Sequence, residues 1–317
     1  MGKAAERGDA PGKGYGSVNC HLIGIAMKEM VRRALEVIRD ERFIFEAHLK
    51  TGYGGELDDV VTTADAAAQR IYVKMIREEF PTFGILAEED ALRVECSDPA
   101  LGDIYFTVDP LDGTRAYKRR QSHGIGTMIA LVQEGECIAA YVGDVMTREI
   151  YGFRPESDVV HRISEYGHSE HLRVSAERTL ADQYVLLRRR PEDYSPLLRR
   201  ALAPRRLGGL CSDLEVTGGS IGISMARLWK GEVGAAVVGS SHETPWDSTP
   251  VIGICRKLGF VFLEPDPEGK RLLPTEMRAH KEVEHGERHW LVVHESRLDE
   301  VEVWLRAALV DGERAEG

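Results

Sequence analysis

No run of apolar residues in this 317-residue chain approaches the ~20 needed to cross a bilayer as a helix, so no membrane-spanning segment is expected. Cysteine is scarce: Cys20, Cys96, Cys137, Cys211 and Cys255 are odd in number, scattered, and never spaced C-x-x-C. That usage argues against a disulfide framework or a zinc site and fits reduced thiols in a cytoplasmic protein. Positive charge is outweighed, 41 Lys and Arg against 52 Asp and Glu, for a formal charge of −11. An acidic surface of this kind argues against nucleic acid as the main partner. It leaves room for anionic small molecules, because a cation held among carboxylates reverses the local field. Met1 to Gly16 is rich in Gly and Lys without an apolar centre, which reads as a flexible leader over residues 1–17 and not as a secretory signal. What is present in quantity is hydrophobic residues, 43% of positions, ample for a buried core and at odds with wholesale disorder. The length suits two domain-sized units or one two-lobed body.

Periodicity divides the chain. Leu22, Ile25, Ala26, Met30, Val31, Ala34, Leu35 and Ile38 recur at helical steps, predicting a helix from Val18 to Leu49. Gly52, Gly54 and Gly55 mark a mobile loop over Thr51–Asp59, and a second helix is expected over Ala64–Glu79 with Pro81 closing it. Phe83–Ala87 and Ile104–Val108 are short apolar runs ending in carboxylates, as buried strands do; Gly126–Leu131 and Cys137–Val142 flank a hairpin turn, and Glu149–Phe153 adds a strand. Pro, Ser, Gly and charge dominate from Arg154 to His171, which reads as a boundary between an N-terminal lobe, 18–155, and a C-terminal lobe, 156–317. In the second lobe, apolar segments near Tyr184, Val233, Phe260 and Trp290 alternate with helical stretches at Ser220–Lys230, Ser248–Leu258 and Leu298–Leu309, an α/β layered pattern. Arg188-Arg189-Arg190 reads as a solvated face.

Three acidic clusters stand at the ends of apolar segments: Glu88-Glu89-Asp90, Asp109-Pro110-Leu111-Asp112-Gly113-Thr114, and Trp246-Asp247. A strand stopping at Val108 leaves Asp109 at a sheet end, with Pro110 stiffening the turn and Gly113 permitting an unusual backbone angle. Carboxylates crowded in this way repel unless a cation sits among them, and oxygen-only donors favour Mg²⁺ or Mn²⁺. A solvated acidic turn is the plain alternative for the hexapeptide alone. A calcium loop fails on spacing, since Arg120 stands where its closing Glu belongs. A P-loop fails because Gly218-Gly219-Ser220 is not followed by Gly-Lys-Ser/Thr, and no Gly-x-Ser-x-Gly elbow occurs.

Taken in order, Val60-Val61-Thr62-Thr63-Ala64-Asp65, Glu88-Glu89, the Asp109–Thr114 hexapeptide and Trp246-Asp247 resemble the inositol monophosphatase superfamily of Mg²⁺-dependent, commonly lithium-sensitive phosphatases. The resemblance covers about Val18 to Leu309. It implies an αβαβα sandwich of the sugar phosphatase type, two lobes with the active site between them, and a cytoplasmic homodimer. It also implies two or three Mg²⁺ ions per site, with Mn²⁺ as a substitute, and a small phosphorylated metabolite as substrate. Inositol monophosphate is the default, with a sugar bisphosphate, a 3′-phosphonucleotide or histidinol phosphate as alternatives. By the same resemblance Glu88, Asp109 and the Leu111 carbonyl bind the first metal, and Asp109, Asp112 and Asp247 the second. Thr114, hydrogen-bonded to Asp65, orients or deprotonates the attacking water with help from Glu89. Phosphate oxygens are assigned to Asp112, to the amides of Gly113 and Thr114, and to the helix start at Gly219-Ser220. Asp65 has a second reading as a helix cap, and Trp246 reads as a packing residue that fixes Asp247. His123 and His242 read as structural, and Lys118-Arg119-Arg120 as a solvated run. Departures are Ala87 where relatives carry Gly, Arg115-Ala116-Tyr117 after the hexapeptide, Ser248-Thr249-Pro250 after Trp-Asp, a long Thr51–Asp59 loop, and Glu243 at an unmatched distance from Asp247.

Overall fold

The computed structural model describes residues 14–315 apart from 17, 54, 58, 176 and 240, so most of the expected leader lies outside the described residues, as does Gly54 of the expected loop. In chain order the helices are α1 (Cys20–Glu41), α2 (Thr63–Glu79), α3 (Thr114–Lys118), α4 (Pro196–Leu202), α5 (Ile221–Trp229), α6 (Pro245–Lys257) and α7 (Leu298–Ala315). The strands of the first half are β1 (Ala47–Lys50), β2 (Asp59–Thr62), β3 (Gly84–Ala87), β4 (Arg93–Val94), β5 (Ile104–Asp112), β6 (Gly126–Gln133), β7 (Glu136–Asp144), β8 (Ile150–Phe153), β9 (His161–Ile163) and β10 (Ser169–His171). Those of the second half are β11 (Tyr184–Leu187), β12 (Asp213–Val216), β13 (Ala235–Val238), β14 (His242–Glu243), β15 (Phe260–Pro265), β16 (Leu272–Thr275), β17 (Glu284–His285) and β18 (Trp290–His294).

Five layers follow from which side chains face which. The first sheet, ordered β10-β9-β8-β7-β6-β5-β3-β4, presents Phe106, Ile129 and Leu131 to α1 and α2 on its outer face. Period-two alternation then sends Met128, Ala130 and Val142 to the other face. There they meet Met225 and Trp229 of α5 and Val251 and Ile254 of α6, whose far sides rest on Phe262 and Val292 of the second sheet. That sheet, β12-β11-β13-β18-β15-β16, is covered on its outer face by α4 and α7 through Leu198, Leu202, Val301 and Trp304. The αβαβα sandwich expected from the sequence is therefore the observed architecture.

Three local readings change. The helix expected to reach Leu49 stops at Glu41, and Ala47–Lys50 pairs instead with Asp59–Thr62 as a hairpin. From Glu41 to Leu49 no residue is buried, so two further helical turns would have had no face to bury. Residues 161–171, inside the stretch read as a lobe boundary, form β9 and β10 and extend the first sheet to His171. Short strands of this kind carry too few residues to show a period. The helix expected from Ser248 begins three residues earlier with Pro245 in its first turn, leaving Pro250 inside it. A proline suits a first turn because its missing N–H has no partner there anyway.

Candidate active site

The first two acidic clusters meet because β3 and β5 are neighbouring parallel strands, with Ala87 paired to Val108. Their carboxylates therefore emerge at the same sheet end, Glu88 and Glu89 just past β3 and Asp109 within β5. Ala87 takes a negative φ in this strand, so the methyl group where relatives have Gly is accommodated. The strand does not stop at Val108 as expected: β5 runs to Asp112, and the turn is a bulge inside it. Asp109 pairs with Met128 and Asp112 with Gly126, three steps on β5 against two on β6. Without the extra residue, alternation would put positions three apart on opposite faces; the bulge turns both carboxylates to one side.

The third cluster arrives on α6. Asp247 sits in that helix's first turn, its carboxylate accepting from the Thr244 hydroxyl at 2.6 Å. Trp246 is buried against Leu86, Tyr105 and Val132 and so anchors α6 to the first sheet, the packing role expected of it. One oxygen each of Asp109, Asp112 and Asp247 then lie within 4.8 Å of one another, a grouping suited to a metal ion. Burial pushes the Asp109 carboxyl well above the ordinary range, reinforced by Glu88, Asp247 and Asp112. Burial and then Asp247 raise Asp112 to about 6, against the opposing field of Arg188.

Glu88 stands outside that grouping of three. Its Oε1 accepts from Lys50 Nζ at 3.0 Å, and the same ammonium reaches Glu89 Oε1 at 2.8 Å. Burial pushes Glu88 up, and Lys50 only partly offsets it. Sequence reasoning missed Lys50, which arrives from the β1–β2 hairpin and carries no motif. Glu89 is tied further by its backbone to both amide atoms of Gln69.

Asp65 combines its two expected roles. It completes a capping box with Thr62 at the start of α2, and its other oxygen accepts from the Thr114 hydroxyl at 3.1 Å. That hydroxyl also lies 3.0 Å from the Leu111 carbonyl. Asp65 is fully buried, and burial raises its carboxyl to about 7 despite the stabilising bonds from Thr62. The amides of Gly113 and Thr114 have no acceptor among the described residues.

The phosphate contact expected at Gly219-Ser220 is corrected. The start of α5 is already taken by Asp112, whose carboxylate accepts from the Ser220 hydroxyl, from Ile221 N at 3.0 Å and from Gly222 N at 2.8 Å. Ser220 N donates to the Gly124 carbonyl. An anion of the chain's own thus fills the helix N-terminus.

Asp112 and Asp247 line a cavity of about 390 Å³ together with Arg188, Arg189, His242 and Glu243. Glu243 pairs with His280 at 3.3 Å, and the Tyr53 ring lies tilted against His242 with ring centroids 5.1 Å apart. Lys118, Arg119 and Arg120 are exposed, as expected, and His123, read as structural, is exposed as well. Arg188 and Arg189 are not the solvated face they were read as. They follow β11 directly, and their signal, polar residues at the end of an apolar run, is the one that marked Asp109.

The fold and the acidic centre together define a sugar-phosphatase-type α/β sandwich. Residues 21–297 match the model of the Inositol monophosphatase family, and the chain belongs to that family. A Nus factor SuhB of Xylella fastidiosa is 33% identical over 93 residues, a stretch covering 29% of this chain and 31% of that protein. The match thus spans about a third of that curated relative's length. The structure of the extragenic suppressor protein suhB from Bartonella henselae superposes with a TM-score of 0.65 at 20% identity, covering 89% of this chain and 98% of that one. An IMPase of Thermotoga maritima gives 0.64 at 20% identity, covering 90% and 97%. These structural likenesses show the shared fold. No helix among the described residues is long and apolar enough to cross a membrane.

Proposed function

We propose that the chain is a Mg²⁺-dependent phosphomonoesterase that hydrolyses a small phosphorylated metabolite, an inositol-phosphate-like ester, by direct attack of water. The observation that carries this reading is the convergence of Asp109, Asp112 and Asp247 beside the Asp65–Thr114 pair. Three buried or half-buried carboxylates with oxygen-only donors fit a hard divalent ion, Mg²⁺ or Mn²⁺, and their mutual repulsion is what such an ion relieves. Asp109, Asp112 and Asp247 would hold it, with Glu88 and the Leu111 carbonyl adjoining on the Asp109 side. Bound there, divalent ions would neutralise the phosphate and make a water more acidic.

The chain's own groups do the rest. The Thr114 hydroxyl orients the water and passes its proton toward Asp65, whose carboxyl at about 7 suits a base working near neutrality. The amides of Gly113 and Thr114, without an acceptor among the described residues, donate to phosphate oxygens as the charge on those oxygens grows. The water oxygen bonds to phosphorus, the ester P–O bond breaks, and the leaving oxygen is protonated to give an alcohol and orthophosphate. No covalent bond to the enzyme is needed. Cytoplasmic residence and a homodimer belong to the same proposal. Phosphate release from a panel of esters, with and without Mg²⁺, is the direct test; no release from any ester in its presence would falsify the reading.

A second measurement probes the metal. Asp65 and Asp112 titrate higher in the fold than in the unfolded chain, so the metal-free protein binds extra protons between about pH 4 and 7. Their contribution to stability is fully present below about pH 4 and is lost as pH rises through the folded values. The metal-free melting temperature is therefore expected to fall from about pH 5 to about pH 8, and millimolar Mg²⁺ to restore most of the loss at the upper end. A melting curve at about pH 8 indifferent to Mg²⁺ would count against the site.

A further inference from the structure

We infer that the substrate carries, besides the phosphate that is cleaved, a second phosphate, received by Arg188 and Arg189. This rests on the phosphatase reading and narrows its substrate class. Both arginines line the same cavity as Asp112 and Asp247, so one small molecule can reach the acidic centre and the arginines together. The cavity, about 390 Å³, is of the size that encloses a small metabolite.

Arg188 is the stronger of the two observations. It is half-buried, and among the described residues no carboxylate lies within ion-pair distance of it. Its Nη2 donates to the Gly219 carbonyl at 2.6 Å, which fixes the guanidinium, while its Nη1 is buried with no acceptor among the described residues. A buried N–H of a cation left without an acceptor is costly, and Arg188 belongs to the cavity's lining, where an anionic ligand can balance its charge. The Gly219 carbonyl that Arg188 holds is followed directly by Ser220, whose hydroxyl donates to Asp112, which places the charge beside the acidic centre. Arg189 pairs only loosely, at 3.9 Å, with Glu287, which is largely exposed. Of the cavity's own acids, Glu243 is engaged by His280 at 3.3 Å, while Glu284 lies 3.8 Å from Arg288, as loose a pair as that of Arg189.

The position has a topological reason. Arg188 and Arg189 leave the C-terminal end of β11, which runs parallel to both of its neighbours, β12 and β13. Ligands of open α/β sheets gather at the carboxyl ends of parallel strands. A planar guanidinium matches phosphate oxygens in a way that the point charge of a lysine does not.

The test compares esters differing only in the second phosphate. Inositol, hexose and adenosine phosphates are each offered with one phosphate and with two, and kcat/KM is measured in Mg²⁺. At least one doubly phosphorylated member is expected to exceed its singly phosphorylated partner by about tenfold or more. In Arg188→Gln that ratio is expected to fall at least about tenfold, mainly through KM, and Arg189→Gln to lower it by a smaller factor. Arg189→Gln also covers the case in which Arg188→Gln fails to fold. Hydrolysis of single monoesters with no gain from a second phosphate in any pair overturns this inference and leaves the phosphatase reading standing. A gain unchanged in both variants, or Arg188→Gln slowing both members of a pair equally, also overturns it. Absence of release from every ester overturns both.

Discussion

Asp109→Asn is expected to lower kcat at least about 10³-fold, roughly 4 kcal/mol of barrier, with the fold intact. Asp109 is the carboxylate that Glu88, Asp112 and Asp247 all act on, so it lies where the acidic fields overlap. Asparagine keeps an oxygen for the Leu111 amide, which Asp109 Oδ1 accepts at 3.0 Å, so the bulge should keep its shape. Removing one of several crowded acids also relieves repulsion. The metal-free variant should therefore melt no lower than the parent near neutral pH, while its gain in melting temperature on adding Mg²⁺ shrinks. Lost activity with retained stability separates a metal role from a structural one. Turnover near that of the parent would remove Asp109 from the mechanism.

Gly113→Ala should have the largest effect on stability. Gly113 has φ +94°, a region costly for any residue with a Cβ. An added Cβ would also lie 2.5 Å from the Gly124 carbonyl oxygen and 2.7 Å from Ser220 N, backbone atoms that cannot swing aside. Strain and overlap together are expected to cost about 3 kcal/mol or more, visible as a melting temperature lower by about 6 °C or more. The damage would centre on the Asp112–Ser220 contact and on Thr114, so activity should fall with it. Gly218→Ala is the control: no atom lies within 4 Å of its added Cβ and its φ is not positive, so it should melt close to the parent. Equal stability of the two variants would show that Gly113 is not held by this geometry.

How much of this could be read from the chain alone differs by element. The cores of α1 and α2 were legible from their helical period, and β3, β6 and β7 as apolar runs, because each buries enough residues to stand out from its flanks. The reach of α1, the strands β9 and β10, and the start of α6 were not. A strand of three residues has no measurable alternation, and helix ends are set by capping and by what remains to be buried. Among site residues, Asp65, Asp109, Asp112, Thr114 and Asp247 were named in advance and do converge, because acids at the ends of apolar runs mark the ends of buried strands. The assignment of Ser220 to phosphate misjudged a competitor, since Asp112 reaches the α5 amides first.

The sequence by itself determined the donor chemistry: which carboxylates are available, that they close buried segments, and that a proline-glycine turn links two of them. These are local properties, carried by residue type and spacing over a few positions. Tertiary structure alone decided that Lys50 would hold Glu88 and Glu89, that Asp112 would occupy the start of α5, and that Arg188 and Arg189 would turn toward the acidic centre. Each joins residues from 38 to 110 positions apart or lining one cavity. Such meetings depend on sheet order and layer packing, which no short window of sequence encodes.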